Sequence, residues 1–371
     1  MPKLKTPCTV GSICKALETL APAHLAEEWD NVGLLVGDAA KPVRKLMLTI
    51  DLTGRVLVEA ARGRCEMVMA YHPIIFKPIG RCTAQATPIA YAAVRRDIAV
   101  YSMHTALDAA PGGTNDVLAS AIGILNPQPL EPKPDEAQCK VVVFTPPSDL
   151  LAVSKAAFDA GAGRIGNYGE CSFYTRGEGT FRGAPGSNPS VGKPGQLEHA
   201  QELRLELVAP KAKLRDVIKA IRKSHSYETP AIDVYPTEQL YGGLGTGRIG
   251  LLAKAMNLQT LIAHVKSVLG VPHVLSVGQR RRRLRRAACC AGSCGRIIGS
   301  ALAQRADVYI TGELRHHDAV DAAEKGLAVI CVGHSNSERL TLRSLATRLR
   351  GMLPGLTVTL ALNDRDPFEI L

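Results

Sequence analysis

The chain has 371 residues, 46% hydrophobic content and a formal net charge of +11. That length admits about two to three domains, and that apolar content a packed core, which excludes a disordered or fibrous polypeptide. No window reaches the ~18 uninterrupted apolar residues of a membrane span. The opening "MPKLKTPCTVGSICKALETLAP" has no apolar run of the secretory kind, and ten cysteines without regular spacing read as reduced thiols. A soluble, cytoplasmic protein is expected, with no membrane partner.

In chain order, "RKLMLTID" (44–51), "CEMVMAYHP" (65–73) and "DIAVYSMH" (97–104) have the apolar texture of buried strands, with helical patterns at "GRVLVEAARGR" (54–64) and "TPIAYAAVRRD" (87–97). This βαβ rhythm predicts a parallel or mixed sheet covered by helices. "EPKPDEAQ" (131–138) reads as a polar linker. Beyond it, "CKVVVFTP", "DLLAVSKAAFDAG", "ELRLELVAP", "KLRDVIKAIRKSH" and "AIDVYPTE" predict a small α+β module of the split βαβ, ferredoxin-like type, interrupted by a long glycine/proline loop at 176–196. The βαβ rhythm then returns in "RAACCAGS", "ADVYITGE" and "GLAVICVGHS". The predicted fold class is therefore α/β: residues 1–133 and 239–371 form two halves of one larger domain sharing a sheet, and residues 137–238 form an inserted domain.

Ligands bind beyond the carboxyl ends of strands in open α/β sheets, and the polar residues concentrate there. One strand ends in Tyr71-His72, another delivers His104 with Asp108 four residues on, a third ends at Glu313 before His316 and His317, and a fourth delivers His334 and Glu338. His334 and Glu338, four apart at a strand-to-helix junction, can point into one cavity, and imidazole with carboxylate is a usual ligand set for zinc, manganese or iron. The bland alternative makes Glu338 a complement to the helix N-terminus and His334 a core histidine. Ser335 or Ser337 is the expected helix N-cap.

Three other features have structural readings. "RRRRLRR" (280–286) reads as a solvated strand end; binding of nucleic acid by counterion release is the alternative. "CCAGSCG" (289–295) reads as a close-packed turn with buried thiols, the alternatives being an anion-holding turn or a thiolate metal site. In "WDN", Trp29 reads as a packing anchor and Asp30-Asn31 as turn formers.

The segments "LAEEWDNVGLLVGD" (25–38), "AYHPIIFKPI" (70–79), "SMHTALDAAPGGTND" (102–116), "ADVYITGELRHHDA" (306–319) and "VGHSNSE" (332–338) together resemble the signature of the Nif-three-like dinuclear-metal-centre family, whose members are often labelled type-two GTP cyclohydrolase homologues. "GAGRIGNYGECSFYTRGEGTFRG" and "SHSYETPAIDVYP" are similar to the PII/CutA-like domain inserted in longer members. The resemblance implies a toroidal homohexamer with up to two divalent metal ions (Zn, Mn or Fe) per subunit. The implied ligands fall on His72, Asp108, His334 and Glu338, with Glu338 as bridge and His104 as a further ligand or neighbour. Many members carry two adjacent histidines where this chain has Tyr71-His72. The expectation is one firm site (His72, Asp108, Glu338) and one weaker site (His334, Glu338, with Tyr71 or His104).

The implied activity is metal-dependent hydrolysis of a nucleotide-like or phosphorylated small molecule, with His334 and Glu338 as catalytic candidates and Glu313 or His317 orienting or shuttling protons. No GxxxxGK[ST] phosphate loop is present. The alternative is a non-enzymatic metal- or partner-binding hexamer.

Overall fold

Short buried β-branched and aliphatic runs nucleate two helix-covered sheets. The computed structural model describes residues 8–133, 137–166, 168–238 and 243–369, so part of the expected linker, residues 134–136, lies outside the described residues. The chain divides into two compact units, residues 1–133 with 243–371, and residues 134–242. No helix among the described residues is long and apolar enough to cross a membrane.

In the first unit, a five-stranded sheet runs in the order Thr357–Leu360, Lys45–Thr49, Met67–Ala70, Ala99–Ser102, Gly33–Val36. Its first four strands are parallel and its Gly33–Val36 edge is antiparallel. Met67–Ala70 and Ala99–Ser102 are buried at every residue, as strands covered on both faces require. A six-stranded sheet runs in the order Leu275–Val277, Ala328–Cys331, Val308–Thr311, Arg283–Cys290, Gly245–Asn257, Ile124–Pro132, with the Arg283, Val308 and Ala328 strands parallel.

The expectation of one shared sheet is therefore corrected: among the described residues of this unit there are two large sheets, besides a two-stranded pairing of Cys8–Thr9 with Pro42–Val43. Each half closes its own parallel core and lends the other an edge. Ile124–Pro132 leaves the N-terminal half to pair with Gly245–Asn257, and Thr357–Leu360 leaves the C-terminal half to pair with Lys45–Thr49. Helix Thr114–Ile122 packs on the second sheet and helix His334–Met352 on the first, and the two helices pack on each other. This arrangement brings the carboxyl ends of the two parallel cores toward one place.

The second unit is a four-stranded antiparallel sheet in the order Ile232–Pro236, Gln138–Thr145, Leu197–Pro210, Phe173–Arg182, with helices Leu150–Asp159 and Leu214–Ser224. Numbered along the chain, that is 4-1-3-2. Two expected loops are shorter than expected. Strand Phe173–Arg182 runs into the glycine-rich stretch, because an exposed edge strand needs no apolar alternation to pair, and Gly179 leaves room for the Glu202 carboxylate. Likewise Glu131 and Pro132 end a strand rather than begin the linker.

Candidate metal centre

Each site residue leaves the carboxyl end of a parallel strand. His72 follows Met67–Ala70, His104 follows Ala99–Ser102, and His334 opens the helix after Ala328–Cys331. The turn before that helix depends on Gly333 at φ 91°, a conformation that disfavours other residues. The expected serine N-cap is not found. Gly333 occupies the cap with no side-chain bond, and Ser335 and Ser337 lie inside the first turn. There Ser337 Oγ accepts from the Gly292 amide at 2.8 Å and donates to His334 O at 2.6 Å, while Ser335 donates to Asp366 at 2.9 Å. The first turn is thus clamped to the neighbouring sheet and to the C-terminal segment.

His72, His334 and Glu338 converge, each offering a ligand atom, with all three atoms within 4.8 Å of one another. Nε2 of His72 lies 3.5 Å from Glu338 Oε2, and Nε2 of His334 lies 3.3 Å from Oε1. Glu338 is buried, yet its Oε2 has no hydrogen-bond partner. His72 Nε2 faces this oxygen as a charge partner, but at a distance too long for a good hydrogen bond. Gly292 completes the cradle: a Cβ there would stand 2.9 Å from Glu338 Oε1 and 3.6 Å from His334 Nε2. The donor set and the orphaned oxygen fit a divalent cation.

Three carboxylates hold the histidines from behind. Asp51 accepts from Nδ1 of His72 at 2.9 Å, Glu313 from Nδ1 of His334 at 3.0 Å, and Asp30 from Nδ1 of His104 at 2.7 Å. This fixes each ring and leaves Nε2 as the outward atom, the usual arrangement behind metal-binding imidazoles. Burial disfavours charge on His72, but the carboxylates of Asp51 and Glu338 outweigh it and raise its pKa to about 10. For His334 the bond to Glu338 leads and the result is about 9. Burial alone would raise the pKa of Glu338; the two histidines outweigh it and hold the group below the ordinary carboxylate range.

Asp108 and Tyr71, both expected among the ligands, are placed differently. Asp108 is not part of the converging triad, and His334, expected at the weaker site, stands beside His72 and Glu338. Tyr71 is fully buried and donates to Asp108, with Thr114 Oγ1 3.1 Å from its hydroxyl. Burial, then the Asp108 and Glu338 charges, push the phenol well above its ordinary pKa, so its proton stays in the bond to Asp108. Burial and the nearby Glu338 charge raise Asp108 to about 6 against the bond from Tyr71.

His104 adopts φ 26°, a strained value for a non-glycine residue, and its ring centroid lies 5.2 Å from that of His72. Of the two residues considered for orienting or proton transfer, Glu313 contacts His334, while His317 stands exposed at the start of helix His316–Glu324.

The sequence reading missed Asp30 and Asp51 as site residues. Asp51 is the last residue of the predicted strand 44–51 and lies two residues beyond the observed one, so the strand-end rule covers it. Asp30, taken for a turn former, has a fully buried carboxylate and also accepts from the amide and hydroxyl of Thr105. Trp29 is not a packing anchor; it is 58% exposed.

Backbone hydrogen bonds engage the remaining motifs. The Ala291 amide donates to Asn115 Oδ1 at 2.9 Å, so with Gly292 bound to Ser337 the "CCAGSCG" turn has its first amides engaged. Cys289 and Cys290 are buried free thiols, and burial pushes Cys289 up to about 12. The arginine run begins strand Arg283–Cys290, at the end away from Gly292 and Glu338, and the amides of Arg285 and Arg286 donate to Asp307.

A family model described as Duf34/NIF3 (NGG1p interacting factor 3) matches residues 8–367. A Halalkalibacterium halodurans protein named "GTP cyclohydrolase 1 type 2 homolog" is 36% identical over 344 residues, 92% of each chain. One of the same name from Bacillus subtilis is 35% identical over 365 residues, 97% of this chain and 98% of its own. The crystal structure of a Bacillus cereus protein related to NIF3 superposes with a TM-score of 0.82 at 35% identity, covering 99% of this chain and all of that one.

Proposed function

The chain belongs to the Duf34/NIF3 family, and from that premise we propose that it is a metal-dependent hydrolase acting on a nucleotide-like or phosphorylated small molecule. The observation that carries the reading is the orphaned Oε2 of buried Glu338, flanked by the Nε2 atoms of two histidines. His72, His334 and Glu338 would hold the ion. A divalent cation there supplies Lewis acidity, which makes hydrolysis feasible near neutral pH and neutralises an anionic substrate.

The chain's own groups do the rest. Asp51 and Glu313 fix the two rings so that neither can turn away, and Gly292 keeps the space above Glu338 open. Glu313 is half exposed and already bonded to His334, a position from which it can accept a proton at its carboxylate and pass it to solvent. The second, weaker site that the family resemblance implies, with His334, Glu338 and Tyr71 or His104, would have to do without the Tyr71 oxygen while that hydroxyl is bonded to Asp108.

The family name carried by the relatives supports a purine nucleotide as one substrate to try. The homohexamer, the cytoplasmic location and a PII/CutA-like identity for residues 137–238 belong to the same proposal; the 4-1-3-2 antiparallel order supports the last. The test is metal content per subunit in untagged protein, wild type against Glu338→Gln, followed by a hydrolysis screen over nucleotides. No metal after reconstitution overturns the reading. Metal without turnover of any phosphorylated substrate favours a non-enzymatic metal-binding scaffold instead.

A further inference from the structure

We propose that Trp29 and Phe76 form a stacking platform for a planar heteroaromatic ring carried by the anionic substrate, so that the ring lies on the indole while the anionic part reaches the metal centre. The anionic half of this inference rests on the proposed function; the stacking half stands on its own geometry. Trp29 is 58% exposed and Phe76 is 47% exposed, and their ring centroids lie 5.7 Å apart with 41° between planes. Two large rings exposed side by side form an apolar surface with faces available for stacking.

The pair joins the metal centre through His104. The His104 ring lies 5.9 Å from Trp29 and 6.5 Å from Phe76 on one side, and 5.2 Å from His72 on the other. A row of rings therefore runs from solvent to the triad.

The platform is built rather than loose. Trp29 sits in a turn closed by the Asp30 amide on Glu27 O at 2.9 Å. The buried Asp30 carboxylate ties that turn to His104 and Thr105, and the Glu27 amide donates to Thr105 Oγ1 at 2.9 Å. Asn31 Nδ2 donates to Ile75 O at 2.5 Å, which ties the Trp29 turn to the loop carrying Phe76. Polar contacts on both flanks thus hold two apolar rings in the open, the pre-organisation a stacking surface needs. Lys77 and Arg81 are exposed in the Phe76 loop and suit an anionic ligand.

Trp29 is the chain's only tryptophan, so its fluorescence reports on this surface alone. Metal-loaded protein would be titrated with guanosine monophosphate, guanosine and ribose 5-phosphate, with metal content measured on the same samples. The expected result is saturable quenching by the two ring-bearing probes and none by ribose 5-phosphate. Trp29→Ala, followed by calorimetry, should weaken guanosine monophosphate roughly ten-fold or more. Phe76→Ala, which keeps the fluorophore, should weaken it less and leave ribose 5-phosphate unchanged. Equal binding of ring-bearing and ring-less probes with silent fluorescence overturns the inference. So does Trp29→Ala that keeps its affinity, including the case where it alters only the oligomeric state and marks the rings as a subunit interface. Full metal content without quenching sinks the platform and leaves the metal centre; quenching in protein that holds no metal does the reverse.

Discussion

Nδ1 of His72 is bonded to Asp51 at 2.9 Å while its Nε2 faces Glu338 at 3.5 Å, so one ring is gripped by two carboxylates of different purpose. Glu338 would take part in the shell of a bound ion; Asp51 keeps the ring aimed. Asp51→Asn should therefore lower metal affinity by roughly 10–100-fold without abolishing it, whereas Glu338→Gln should reduce metal content to background. Competition against a chelator, with metal counted by mass spectrometry, separates the two. Equal loss in both variants would mean that Asp51 is itself a ligand.

Proton release follows from the raised histidines. In metal-free protein at neutral pH, His72 (about 10) and His334 (about 9) are both charged and turn their Nε2 protons toward Glu338. A divalent cation must displace them, so binding should release about two protons per ion near pH 7 and weaken steeply as pH falls. The sign for folding is the opposite. A histidine whose pKa rises from 6.5 on folding stabilises fully below 6.5, and that stabilisation is lost as pH climbs through 9 to 10. Chelator-treated wild type should lose stability over that range, and a His72→Gln, His334→Gln double variant should lose much less. Calorimetry in buffers of different ionisation enthalpy measures the proton count. Release near zero would mean that the rings are neutral before the ion arrives.

Tyr71 tests the difference between a ligand and a support. Its phenol donates to fully buried Asp108, so Tyr71→Phe removes one of the bonds that make a buried carboxylate tolerable. The expected cost is about 1–3 kcal/mol of stability, read by denaturant unfolding, with metal content unchanged. A fall in metal content without loss of stability would return Tyr71 to the ligand shell.

The legible part of this site was the set of strand ends, because a strand's carboxyl terminus is marked by an apolar run giving way to a polar residue. His72, His104, His334 and Glu338 are found that way. Asp51 carries the same mark, but no histidine stands within a few residues of it to single it out. The grouping was not legible. Which histidine faces which carboxylate depends on two sheets meeting end to end, and the residues that set this, such as Gly292 and the edge strands exchanged between halves, have ordinary local patterns. Asp30 was hidden for a related reason: a buried carboxylate inside a turn sequence looks like any other turn aspartate until Thr105 and His104 arrive from 75 and 74 residues away.

Gly292 gives the sharpest structural test of the cradle. Its φ of 73° costs an alanine about 1–2 kcal/mol, and the added Cβ would stand 2.9 Å from Glu338 Oε1. Glu338 cannot yield freely, since it is buried in a helix whose first turn is held by Ser337 and Asp366. Gly292→Ala should therefore lose stability by more than the backbone term alone and lose metal as well. Ser337→Ala removes the clamp on the Gly292 amide without touching the space above Glu338, so it should cost stability while the ion is retained. Thermal unfolding and metal content of the two variants make the comparison. If Gly292→Ala binds metal as wild type does, the carboxylate has room to spare and the cradle is not what holds it.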